Sequence, residues 1–128
     1  MSTNSRRILI VDDDRINRSI LLDILKEKYF ISMAQNGPQA LTKAQSYEDR
    51  PDIILLDIVM PGMDGFETCQ RLKASDTTRD IPVIFITAMH DQVGQEKGME
   101  VGGVDYILKP FDRQDILNRI KQNLIRYN

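Results

Sequence analysis

Four apolar runs of this chain each lead into residues able to do polar chemistry. Asp12 and Asp13 follow Ile8-Leu9-Ile10-Val11, Asp57 follows Ile53-Ile54-Leu55-Leu56, Thr87 follows Val83-Ile84-Phe85-Ile86, and Lys109 follows Tyr106-Ile107-Leu108. As parallel strands of one sheet, those runs put every such residue at a strand's carboxyl end, the edge where open α/β sheets carry their sites. Three carboxylates, a hydroxyl and an ammonium then converge. Carboxylates packed together repel: at ~4 Å and an effective dielectric of about 20, each pair costs on the order of 4 kcal/mol. Such a cluster is either partly protonated or held ionised by a cation. Oxygen ligands without His or Cys select a hard ion, and a few carboxylates completed by water and phosphate suit Mg2+, with Mn2+ as the alternative. A carboxylate beside that ion can attack phosphorus and become an acyl phosphate. The charge on the transferring group calls for placed cations and donors, which Lys109 and Thr87 supply.

Taken singly, each residue has a plainer explanation. Acids after a strand can cap the next helix, Thr87 can be a strand-end hydroxyl, a lone lysine is usually solvated, and Tyr106 is by default a half-buried strand aromatic. Their joint placement at four strand ends is what points to a site.

The elements that must position them alternate strand and helix, the pattern of a parallel sheet. The first strand covers about residues 7–12, and a helix near 14–28 follows, with Ile16, Ile20, Leu21, Ile24 and Leu25 on one apolar stripe. The second strand is about 30–35, and Asn36-Gly37-Pro38 opens a short helix with Pro38 in its first turn. The third (52–57) and fourth (82–87) strands are apolar throughout and therefore central. Met60-Pro61-Gly62-Met63-Asp64-Gly65 is a loop, followed by a helix over 64–74 that carries Phe66, Cys69 and Leu72 inward. The fourth helix, 91–101, holds Gly94 and Gly98, each costing about 1 kcal/mol relative to Ala. Val93, Met99 and Val101 are its clear apolar residues, so it is expected to be the least stable helix. A fifth strand (104–108) and a last helix capped by Asp112 complete the chain. The expected fold is α/β: a doubly wound, flavodoxin-like, five-stranded parallel sheet in the order 2-1-3-4-5, with five helices on both faces. That order makes strand one the neighbour of strand three and brings Asp12, Asp13 and Asp57 together.

Composition excludes several other classes. With 128 residues the chain fits a single domain. A net charge of −2 gives no electrostatic reason to bind nucleic acid or an anionic membrane. No apolar stretch approaches the ~20 residues of a membrane span, and the four-residue run after Arg6-Arg7 is too short for a secretory signal, so a cytoplasmic location is expected. One cysteine, Cys69, and one histidine, His90, leave neither a disulfide nor a metal knuckle. Cys69 reads as core and His90 as a loop or helix-start residue.

Ile8-Leu9-Ile10-Val11-Asp12-Asp13-Asp14, Leu55-Leu56-Asp57-Ile58-Val59-Met60-Pro61-Gly62-Met63-Asp64-Gly65, Phe85-Ile86-Thr87-Ala88 and Asp105-Tyr106-Ile107-Leu108-Lys109-Pro110-Phe111 resemble the receiver domains of two-component response regulators. The resemblance runs through about residues 6–126, with every motif in order, and implies one receiver over 1–128 with no output domain in this chain. It implies that Asp57 accepts a phosphoryl group from a phosphohistidine donor. Asp12, Asp13, Asp57 and the Val59 carbonyl would hold Mg2+, while Thr87 and Lys109 contact the phosphate. Thr87 and Tyr106 would form the switch that alters the surface of helix four, strand five and helix five, and the Lys109–Pro110 peptide would be cis. The resemblance further implies a signalling domain rather than an enzyme, one that promotes its own phosphorylation and dephosphorylation. Its donor would be a sensor histidine kinase or a histidine phosphotransfer protein. Its target would be an effector protein or an output domain, and phosphorylation-dependent dimers fit the same reading.

Two departures carry expectations. Gly103 stands where Ala is common and is expected to loosen the turn before strand five. Val59 and Met89 are apolar at positions near the phosphate, which predicts slow self-dephosphorylation. The Asp14-Arg15-Ile16-Asn17-Arg18 segment is similar to receivers of phosphorelays, and equally to an ordinary polar helix face. A phosphohydrolase of the haloacid-dehalogenase type would place its nucleophile on strand one in an Asp-x-Asp-Gly-Thr-like motif, and Arg15-Ile16 follows Asp14 here. A flavin-binding module would need a phosphate loop where three aspartates stand.

Overall fold

The computed structural model describes residues 6–88 and 92–127. In chain order the elements are β1 (Arg7–Val11), α1 (Arg15–Leu25), β2 (Phe30–Ala34), α2 (Gly37–Gln45), β3 (Ile53–Asp57), α3 (Gly65–Ala74), β4 (Val83–Thr87), α4 (Gln92–Glu100), β5 (Asp105–Leu108) and α5 (Arg113–Tyr127). All strand pairs are parallel, and the sheet order is β2-β1-β3-β4-β5. β3 and β4 are buried along their whole length, as continuous apolar runs in the middle of a covered sheet must be.

Strand alternation sorts the core into two layers. Leu9, Val11, Ile54, Leu56, Val83, Phe85 and Tyr106 face α2, α3 and the α4–β5 turn. Ile8, Ile10, Ile53, Leu55, Ile84, Ile86 and Ile107 face α1 and α5. Side-chain acceptors start the helices: Asp14 accepts from Ile16 N–H, Asn36 from Gln39 N–H and Asp64 from Glu67 N–H. Asp112 accepts weakly from Asp115 N–H at 3.3 Å and caps α5. No helix among the described residues is long and apolar enough to cross a membrane.

The structure corrects two sequence expectations, the buried stripe of α1 and the looseness of the Gly103 turn, and shows what α4 buries. Helix α1 ends at Leu25 and buries Leu21, Ile24 and Leu25, whereas Ile16 and Ile20 are 70% and 42% exposed. The stripe is wider than the surface the sheet offers. In α4, Val93 and Met99 are exposed, and the buried residues are Gly94 and Gly98. Gly103 does not loosen its turn: its N–H donates to the Gly98 carbonyl at 2.9 Å, and a Cβ there would strike the Phe85 ring. Met89 and His90 lie outside the described residues.

Candidate functional site

Parallel pairing brings the polar residues together at one edge. Asp57 and Thr87 are the last residues of β3 and β4, while Asp12 and Lys109 stand one residue past β1 and β5. Val11 pairs with Leu56, Asp57 with Ile86 and Thr87 with Leu108, so neighbouring strands end in step. Asp12, Asp13, Asn17, Asp57, Val59, Thr87, Ala88 and Lys109 line an open cleft of about 410 Å³. The polar residues singled out in the sequence meet there. Tyr106 does not line that cleft; it is 8% exposed and packs in the core layer that holds Phe85.

The carboxylates of Asp12, Asp13 and Asp57 each offer an oxygen within 4.8 Å of the others. Asp12 and Asp57 are buried, and Asp13 is open to solvent. Lys109 is the cation between the two buried acids, its Nζ 3.2 Å from Asp12 Oδ2 and 3.5 Å from Asp57 Oδ2. The Lys109–Pro110 peptide is cis. Burial, then the Asp12 charge, push the Asp57 carboxyl up to about 7; Lys109 pulls it down, and Asp13 pushes it up. One ammonium does not offset three acids. Asp12 Oδ1 accepts the Asp14 N–H at 2.9 Å, while the buried Oδ2 accepts no hydrogen bond among the described residues. A buried carboxylate oxygen met only by the Lys109 ammonium, in an all-oxygen cluster, suits a hard divalent cation. Val59 lies on the rim of the same cleft.

Close packing shapes the floor. Gly65 N–H donates to the Ile58 carbonyl at 2.8 Å, and a Cβ at Gly65 would collide with the Asp57 carbonyl oxygen. The start of α3 can fold back onto the end of β3 only because residue 65 has no side chain. Asp64 anchors that turn by capping α3 at Glu67 N–H, 2.9 Å.

Two contributors escaped the sequence reading. Arg18, in a segment similar to phosphorelay receivers and equally to an ordinary polar helix face, donates from Nη1 to the Asp12 backbone carbonyl at 2.8 Å. Its spacing of six residues from Asp12 is the sole available signal, and a bond to a backbone carbonyl leaves no mark in side-chain patterns. Phe85 read simply as a strand residue, yet it lies two residues before Thr87 and pairs with Tyr106.

An open parallel sheet in this order, with an acid cluster and a lysine at its carboxyl edge, defines a phosphoacceptor-type α/β signalling domain. The sequence model of the response regulator receiver domain matches residues 8–121, and this chain belongs to that family. It is 45% identical over 118 residues to the response regulator PleD of Caulobacter vibrioides, covering 91% of this chain and 26% of PleD. The chain thus spans about a quarter of that relative's length. A crystal structure of a putative response regulator from Chloroflexus aurantiacus superposes with a TM-score of 0.88 at 32% identity, over 95% of this chain and 99% of the other. The receiver domain of the sensor histidine kinase PA1611 of Pseudomonas aeruginosa, solved with magnesium in its active-site cleft, gives a TM-score of 0.80. It is 29% identical, and the match covers 96% of this chain and 97% of the other. The chain is therefore a two-component receiver domain, a signalling module with an acidic, metal-compatible pocket.

Proposed function

We propose that residues 1–128 act as one receiver in which Asp57 is the phosphoryl acceptor. A carboxylate oxygen of Asp57 attacks the phosphorus of a phosphohistidine; the P–N bond breaks, its electron pair returns to the imidazole, and an acyl phosphate remains. Asp12, Asp13, Asp57 and the Val59 carbonyl would hold Mg2+, which offsets charge on the phosphoryl oxygens when bound. Lys109 neutralises a further oxygen, and Thr87 donates its hydroxyl to another. The shift of Thr87 toward the phosphate is relayed through Tyr106 to the α4–β5–α5 surface.

The donor is a sensor histidine kinase or a histidine phosphotransfer protein in the cytoplasm. Exposed Ile16 and Ile20 on α1, beside the cleft, are apolar contacts it can use. The receiver of the signal is an effector or output domain, and no direct contact with nucleic acid enters the reading. The side chain of Val59, 64% exposed at the rim, has no polar group to align an attacking water, so the acyl phosphate is expected to outlast seconds.

The observation that carries this reading is the triad of carboxylates within 4.8 Å, with Lys109 bridging two of them. Incubation with Mg2+ and acetyl phosphate is expected to phosphorylate the wild type and leave Asp57→Asn unmodified, as read by intact-protein mass. Equal modification of the two proteins would overturn the assignment of Asp57.

A further inference from the structure

Helix α4 meets the sheet through glycine. Gly94 and Gly98 are its buried residues, and Val93 and Met99 look outward. The volume beneath α4 is filled from the other side by Phe85 of β4, which is fully buried. A Cβ on Gly98 would stand 3.0 Å from Phe85 Cδ2 and 3.6 Å from Tyr106 Cε2. A Cβ on Gly103 would stand 2.5 Å from Phe85 Cε2 and 2.9 Å from the Gly98 carbonyl oxygen. The Gly103 N–H already donates to that carbonyl, so helix end and turn close on the ring as one unit. Phe66 of α3 holds the opposite flank of the ring, with centroids 5.7 Å apart and planes tilted by 58°.

Phe85 also touches the proposed relay at both ends. It lies two residues before Thr87 on the same face of β4, and its Cα partner across the β4–β5 pairing is Tyr106. We propose that Phe85, seated between Gly98 and Gly103, is a positioning residue of the switch. It fixes the inward place of Tyr106 and the seat of α4, so that a shift at Thr87 reaches α4 only while both glycines leave room for the ring. The inference rests on the switch reading above and adds the part that transmits it. An aromatic ring in a close-packed interior cannot shrink, so an added Cβ moves ring or helix by a few tenths of an ångström at position 98 and by more at position 103, where it also meets the Gly98 carbonyl oxygen. A methyl group at position 98 or 103 therefore lifts α4 off the ring it is meant to follow. Replacing Phe85 by Leu returns the space.

Hydrogen exchange over residues 92–100, with and without Mg2+ and beryllofluoride, tests this on the full chain, alongside the 3-fluorotyrosine signal of Tyr106. In the wild type both readouts are expected to change on activation. Gly98→Ala and Gly103→Ala should bind beryllofluoride within about twofold of wild type yet lose most of the α4 response. Phe85→Leu placed in either background should restore it, which a glycine needed only for stability would not predict. Should Gly103→Ala fail to fold, Gly98→Ala and its Phe85→Leu double variant carry the same comparison. Alanine variants that respond like wild type, or double variants that stay silent, overturn the proposal and leave the switch reading intact. A wild type that binds beryllofluoride without any change in α4 or Tyr106 overturns both.

Discussion

At the scale of single residues, Asp57 is the group whose ionisation the fold most resists. Its carboxyl is raised from 3.8 to about 7, chiefly by burial and then by Asp12. The folded protein thus binds this proton more tightly than the unfolded chain does. Stability falls as pH rises from about 4 to about 7, and the cost stays in place above that range. Asp57→Asn removes the charge, so at pH 8 without Mg2+ the variant should be more stable by on the order of 2 kcal/mol, measured by urea denaturation. Proton and metal compete for the same oxygens. Mg2+ affinity should therefore weaken toward tenfold per pH unit below about 7, and calorimetric titrations at several pH values check this. A flat profile across neutrality would mean that Asp57 is already ionised in the free protein. Arg18 acts one bond away: it holds the Asp12 carbonyl, not a carboxylate, at 2.8 Å.

At the scale of elements, the helix starts set where the cleft residues stand. Loss of the Asp64 cap in Asp64→Ala removes the bond to Glu67 N–H and should cost about 1 kcal/mol in denaturant unfolding. Gly65→Ala should be worse and should slow phosphorylation of Asp57 as well, because the new Cβ collides with the Asp57 backbone. The strands were legible because each is a short apolar run, and the fully apolar ones are the two buried on both faces. Four of the cleft's partners could be read for the same reason: a polar side chain directly after such a run has one place to go. Helix α1 was less legible. Ile16, Ile20 and Ile24 share a stripe by spacing, and periodicity gives the direction of that stripe but not how much of it the sheet covers. Helix α4 defeated the apolar pattern altogether, since its buried face consists of residues without side chains. Glycine in a helix signals a local penalty to a sequence reader; here it also makes room for Phe85.

At the scale of the whole molecule, stability and signalling share one sheet. Ligands that bind the folded cleft alone must stabilise it, and at about a hundred times their dissociation constant the gain approaches 2.7 kcal/mol. Saturating Mg2+ with beryllofluoride should accordingly raise the melting temperature of the wild type and leave Asp57→Asn nearly where Mg2+ alone puts it, as scanning calorimetry can verify. The alternation along β4 has a wider result. Phe85 belongs to the layer under α3 and the α4–β5 turn, whereas Ile84 and Ile86 belong to the layer that carries α1. The proposed route from Thr87 to α4 lies on the first side of the sheet, while α5, the far edge of the proposed output surface, packs on the second side beside α1. A donor proposed to land on α1 would therefore neighbour one edge of the surface that the switch is proposed to change.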